Sequence, residues 1–137
     1  MNNVRALPGA FPLHADKDFI TESEWVILKL LCRPVMELDG SDAEEVAKAS
    51  GGQIKIERAD ELIRIVRISK LPGLGTWIAR LMGEVGLDAE QVKSLAPEEI
   101  MNRINARMGY PLCNDATVRA LADLQLMWKG LSKGSTL

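Results

Sequence analysis

The residues with the most suggestive chemistry lie in ISKLPGLGTWIARLM, residues 68–82, where a Pro-Gly-x-Gly turn separates two runs with helical patterns. Pro72 fixes its own φ, and Gly73 and Gly75 tolerate a positive φ or the close approach of another molecule. Such a turn leads directly into a helix N-terminus, where unsatisfied N–H groups and the helix dipole attract anions. We therefore expect the amides of Gly73, Gly75 and Thr76 to bind a phosphate group.

Basic residues lie on both sides of this turn. Residues 53–80 hold six cations and three anions, a local charge of +3 in a chain whose net charge is −2. Arg64, Arg67 and Lys70 are spaced by three residues and so share roughly one helical face, and Arg80 follows the turn. Such a stripe can neutralise about 2–4 phosphates. The alternative interpretation is a solvated face that pairs with its own acidic residues.

The turn resembles the helix-hairpin-helix motif, whose pattern is Pro-Gly-apolar-Gly followed four residues later by Ala. In this chain the pattern is carried by Pro72, Gly73, Leu74, Gly75 and Ala79. The stretch at 95–124, LAPEEIMNRINARMGYPLCNDATVRALADL, is similar to the part that follows the hairpin in small helix-hairpin-helix proteins of the pathogenicity-locus and mitomycin-resistance type. That likeness is carried by Pro97, Glu98, Glu99, Gly109 and Cys113.

The resemblance covers about residues 60–129 and has consequences for fold and function. It implies a SAM-like helical fold. It also implies a protein that binds the DNA backbone without reading the sequence. Together with the local charge pattern, this predicts contacts from the hairpin backbone, Thr76 and the cations Arg64, Arg67, Lys70 and Arg80.

Trp77 departs from that pattern, because many DNA-binding hairpins have a basic residue two positions after the second glycine. An indole cannot replace an ammonium group at a phosphate, although it can stack on a base or fill a pocket of a partner protein. The alternative function is therefore a protein–protein adaptor or accessory protein that docks its partner through Leu74 and Trp77. A homodimer is a third alternative.

Composition limits the class of protein. A chain of 137 residues with 47% hydrophobic and 26% charged residues fits one globular domain. The pI of about 5.5 argues against a strongly cationic nucleic-acid binder. No apolar run approaches the roughly 20 residues that span a bilayer, and no secretory leader is recognisable at the start of the sequence. Two cysteines are too few for a disulfide framework, so we expect a cytoplasmic protein.

The helical patterns predict a single all-α domain over residues 21–131, a compact bundle of six or seven short helices. Residues 1–20 read as an irregular arm and residues 132–137 as a frayed tail. Capping-box spacings at Thr21 and Ser41 predict two helix starts, and Asn114 or Asp115 is expected to cap the last helix. QIKI at 53–56 alternates like a strand, but we interpret it as the lead into a helix over about 57–69.

No catalytic or metal-binding set is recognisable in the sequence. His14 is the single histidine, and no CxxC or HxxxH spacing occurs. Cys32 and Cys113 are best explained as buried small hydrophobic residues. The Gly-x-Gly lacks the third glycine and the preceding strand of a dinucleotide fingerprint. We therefore expect no enzyme activity, no cofactor and no metal.

Overall fold

The computed structural model describes residues 19–135, with side chains as far as Gly130. The predicted irregular arm lies outside this range except for Phe19 and Ile20, which are both buried in the core. None of the helices in the described range is long and apolar enough to cross a membrane.

The described chain contains seven α-helices and one 3₁₀ helix and has no strand. The prediction of an all-α bundle is confirmed, whereas the 3₁₀ helix was not predicted. The α-helices are α1 (Glu22–Leu30), α2 (Ala43–Ala49), α3 (Ile56–Ser69), α4 (Thr76–Glu84), α5 (Ala89–Ser94), α6 (Pro97–Met108) and α7 (Asp115–Ser135). The 3₁₀ helix, Val35–Gly40, lies between α1 and α2.

Local side-chain caps explain where several of these helices begin. Thr21 and Glu24 form the predicted capping box at α1, with the Glu24 N–H donating to Thr21 Oγ1 at 3.1 Å. The cap of α2 is Asp42 rather than the predicted Ser41, because the Asp42 carboxylate accepts from the Glu45 N–H. At α7, Asn114 Oδ1 accepts from the N–H of Ala116 at 2.9 Å. Short-range chemistry of this kind is readable from sequence.

Two predicted features differ from the structure at helix ends. Helix α1 ends at Leu30, and the following Cys32 has a φ of 57° and is exposed, so the prediction of a buried Cys32 is wrong. Pro34 restricts the residue before it and prevents the helix from continuing. Helix α7 runs to Ser135, so most of the segment predicted as a frayed tail over 132–137 is helical.

Helix α3 is the central element of the bundle. It packs against the 3₁₀ helix, α2, α4 and α5. Its apolar side chains contribute to both halves of the core: Leu62, Ile65 and Val66 to the N-terminal half and Ile68 to the C-terminal half. Burial on this scale is the main favourable term in folding.

Helices α3 and α4 approach each other most closely at Gly83. A Cβ atom built on Gly83 would collide with the Ile65 side chain and would lie 3.4 Å from the Ile65 Cα. The absence of a side chain at Gly83 therefore lets the two helix backbones approach. Residues 70–75 connect these two closely packed helices.

Candidate functional site

The turn between α3 and α4, residues 70–75, is named here the Pro-Gly turn. Gly73 and Gly75 have φ values of 87° and 85°, as the sequence predicts. With a ψ of 164°, Gly75 occupies a region of backbone space that is essentially restricted to glycine. A Cβ atom on Gly75 would meet nothing within 4 Å, so solvent and ligands have access to this part of the backbone.

The N-terminus of α4 differs in charge from the other described helix starts. Helix α4 begins after Gly75 with no side-chain cap and no acidic residue in its first turn. Each of the other seven described helices has at least one acidic residue in its first turn. The partial positive charge of the α4 dipole is therefore not offset by a carboxylate on its own first turn.

Helix α7 supports the Pro-Gly turn from one side. The Trp128 indole N–H donates to the carbonyl of Pro72 at 2.9 Å. A Cβ atom on Gly73 would lie 2.7 Å from the Leu124 side chain and 3.7 Å from that of Met127. Gly73 and Gly75 nevertheless remain exposed. The turn is thus held in place by the core while its glycines stay at the surface.

Arg67 and Lys70 are brought together beside the turn by the 3₁₀ helix. Lys70 Nζ lies 2.9 Å from Asp39 Oδ2, and Arg67 Nε donates to the Asp39 backbone carbonyl at 3.0 Å. Both cations are exposed at the surface. Asp39 offsets part of their charge, so any anion that binds here competes with this carboxylate for Lys70.

Arg64 does not join these two cations at the surface. Its guanidinium pairs with Asp60 and donates to the Gly83 carbonyl at 2.9 Å, while its Nε is buried without a hydrogen-bond partner. Arg64 therefore connects α3 to α4 and has little freedom to reach a phosphate.

Arg80 and Trp77 lie further along α4. Arg80 Nε is 3.0 Å from Glu84 Oε2, and the Arg80 side chain is 45% exposed. Trp77 is 57% exposed, whereas Trp128 is 5% exposed. Leu74 and Trp77 are the two residues predicted to dock a partner protein. Leu74 is partly buried against the core, so Trp77 is the more accessible of the two. Thr76, at the start of the helix, is also partly buried.

Sequence reasoning missed three charged residues of this region: Asp39, Glu84 and Arg107. Arg107 Nη2 lies 3.4 Å from Glu84 Oε1, so Glu84 faces both Arg80 and Arg107. Only the Arg80–Glu84 spacing, four residues apart on one helix, is a signal readable from sequence. Asp39 and Arg107 lie on other elements and reach the site through tertiary packing.

The other candidate chemical groups have ordinary surroundings. Burial raises the pKa of the Cys113 thiol, against a smaller opposing effect of its hydrogen bond with Thr117. Such a thiol is a poor nucleophile at neutral pH. No group of three or more metal-ligating side chains occurs within residues 19–130. His14 lies outside the described residues.

Comparison of the chain with protein-family models, with curated proteins and with solved structures gives no match. The class that the fold defines is an all-α bundle.

Proposed function

We propose that this is a non-enzymatic, cytoplasmic DNA-binding protein that contacts the phosphate backbone, without sequence preference, through a helix-hairpin-helix formed by α3, the Pro-Gly turn and α4. The observation that carries the proposal is the start of α4 behind the exposed Gly75, where the helix has no side-chain cap and no acidic residue in its first turn. Backbone amides at such a position donate to phosphate oxygens, and the helix dipole favours the negative charge. Contacts of this kind position DNA but carry no sequence information.

The neighbouring charges support the same ligand. Lys70 and Arg67 are exposed next to the turn, and Arg80 lies one turn into α4. Since Arg64 is held by Asp60 and Gly83, we assign the cationic contacts to Arg67, Lys70 and Arg80 and leave Arg64 out. Two or three cations predict weak binding with a salt slope of about −2 to −3 in log K against log salt.

Fluorescence anisotropy with a labelled duplex of arbitrary sequence, titrated at several salt concentrations, tests this proposal. We expect binding at low salt that disappears as salt rises. The double variant Arg67→Glu plus Lys70→Glu is expected to abolish it, because repulsion replaces two phosphate contacts. Lys93→Glu is the matched control, since Lys93 is a lysine ion-paired within another helix, α5. No binding of the wild type at low salt, or equal binding by wild type and double variant, contradicts the proposal.

A second candidate function is favoured by one observation, the exposure of Trp77. A tryptophan that is 57% exposed is a frequent anchor in protein interfaces. In this alternative the turn and Trp77 dock a partner protein, of which a second copy of this chain is one case. Two results together would support this alternative. The wild type would bind no DNA at low salt, and Trp77→Ala would lose binding to a defined protein partner of the wild type. A monomeric mass by light scattering at high concentration excludes the homodimer.

A further inference from the structure

A surface groove lies beside the candidate phosphate site. It is formed by one face of α4 and the C-terminal end of α6, and has a volume of about 430 Å³. Its lining residues are Trp77, Arg80, Leu81, Glu84, Arg107 and Met108. The volume lies in the range of about 300–1,000 Å³ that is typical of small-molecule sites. The groove can therefore hold a group the size of a nucleobase.

Two arginines and one glutamate are among the residues that line the groove. Glu84, whose side chain is 15% exposed, is 3.0 Å from Arg80 Nε and 3.4 Å from Arg107 Nη2. Both guanidinium groups thus lie close to the same carboxylate. The arginine side chains are 45% and 52% exposed, so an anion at the edge of the groove can reach them. Guanidinium groups held in this way are well suited to phosphate oxygens.

Trp77 provides a stacking surface at the same groove. In contrast to Trp128, whose indole N–H is bonded to Pro72, most of Trp77 lies outside the core. Aromatic side chains stack on nucleobases of any sequence, but the faces of bases inside an intact duplex are already covered by their neighbours. Trp77 can therefore take up a base from a single strand or from an unpaired position.

We infer that this groove binds an unpaired nucleobase, stacked on Trp77, with an adjacent phosphate at Arg80 and Arg107, so that the protein prefers single-stranded DNA to duplex. The inference rests on the proposed function, because the Pro-Gly turn supplies the neighbouring phosphate contact. Gly75 and Arg80 are five residues apart, about 7.5 Å along the helix axis. The two contacts are thus close enough to engage one short stretch of strand.

The test compares a labelled oligothymidine with a duplex of the same length, by anisotropy, for wild type, Trp77→Leu and Trp77→Phe. Trp77→Leu is expected to weaken binding of the single strand about 5- to 100-fold while changing duplex binding less than about twofold. Trp77→Phe keeps an aromatic ring and is expected to retain most of the affinity for the single strand. Arg107→Glu is expected to weaken single-strand binding as well, and circular dichroism checks that each variant is folded.

The possible results distinguish failure of this inference from failure of the proposed function. Duplex binding that depends on Lys70 and Arg67, together with no effect of Trp77→Leu on either ligand or an equal effect on both, overturns the inference and leaves the proposed function standing. No binding of the wild type to either ligand at low salt overturns both. Selective loss of single-strand binding in Trp77→Leu, with Trp77→Phe close to wild type, supports the inference.

Discussion

Arg64, Arg67 and Lys70 illustrate how differently equally spaced residues can be used. They follow one another at intervals of three residues, yet Arg64 is held between Asp60 and the Gly83 carbonyl while the other two lie beside Asp39. The sequence predicts that they share a face, but it does not show which elements pack against that face. Partners 19 to 31 residues away, such as Gly83 and Asp39, decide the role of each cation.

Another cation on α3, Arg58, links the start of the described chain to the bundle. Its Nε and Nη2 donate to the two carboxylate oxygens of Glu24 at 2.8 and 2.9 Å, and Nη2 also donates to the Phe19 carbonyl at 2.8 Å. Burial alone raises the pKa of Glu24, but hydrogen bonds from Arg58 and from the Thr21 N–H outweigh it. The net pKa of Glu24 therefore lies below its ordinary value of 4.5.

This pair predicts a loss of stability in acid. The pKa of Glu24 is depressed in the folded state, so its ionised form stabilises the fold. This stabilisation is complete above the unfolded-state pKa of about 4.5 and is lost as the pH falls through the folded-state pKa. Glu24→Gln should lower the free energy of unfolding by about 1.5–3 kcal/mol at pH 7. It should also flatten the dependence of that free energy on pH below 5, as measured by urea unfolding.

Glu98→Gln is the control for this measurement, since Glu98 is an exposed glutamate in the first turn of α6. If Glu24→Gln had the same stability and pH dependence as Glu98→Gln, the Glu24–Arg58 ion pair would not stabilise the contact between α1 and α3.

At the scale of elements, Gly83 allows the close packing of α3 and α4, the two helices that the Pro-Gly turn joins. Gly83 lies in a helix with no positive φ, so its reason for being glycine is the contact with Ile65 rather than backbone conformation. Gly130, in α7, has open space around its Cβ position. Substitution of Gly83 therefore tests the packing between helices, whereas substitution of Gly130 tests helix propensity alone.

Alanine at these two positions should have opposite effects. Gly83→Ala is expected to destabilise the protein by about 1–3 kcal/mol, because the new methyl group forces α3 and α4 apart. Gly130→Ala is expected to stabilise it by about 0.5–1 kcal/mol, since alanine favours a helix more than glycine does. Chemical denaturation of both variants provides the measurement. Stabilisation by Gly83→Ala would contradict the close approach of α3 and α4.

The boundaries of the elements show how much the sequence can predict. The limits of α6, Pro97 and Met108, are marked in the sequence, because a first-turn proline and the glycine that follows Met108 are local signals. The 3₁₀ helix at Val35–Gly40 was missed, because six residues offer little periodicity. Its Val35 and Leu38 are buried in the core, and that tertiary burial is not readable from local pattern. The sequence predicts the Pro-Gly turn, but it does not predict that Asp39 lies next to Lys70 and Arg67.

At the scale of the whole molecule, the proposed DNA binding depends on where the charges lie more than on the net charge of the chain. In a chain with a net charge of −2, the side chains of Arg67, Lys70 and Arg80 are exposed around the Pro-Gly turn. The first turn of α4 contains no acidic residue. The Asp39 carboxylate oxygen Oδ2 lies 2.9 Å from Lys70 Nζ. If DNA binds here, removal of that carboxylate should release the lysine for a phosphate.

The most direct test is therefore the duplex affinity of Asp39→Asn, wild type and Lys70→Glu across a salt series. The account predicts that affinity falls in that order, and that the salt slope of Lys70→Glu is smaller than that of the wild type by about one. Glu90→Gln, which removes the partner of Lys93 on α5, should bind as the wild type does. Equal affinities for Asp39→Asn, wild type and Lys70→Glu would contradict DNA binding at the Pro-Gly turn.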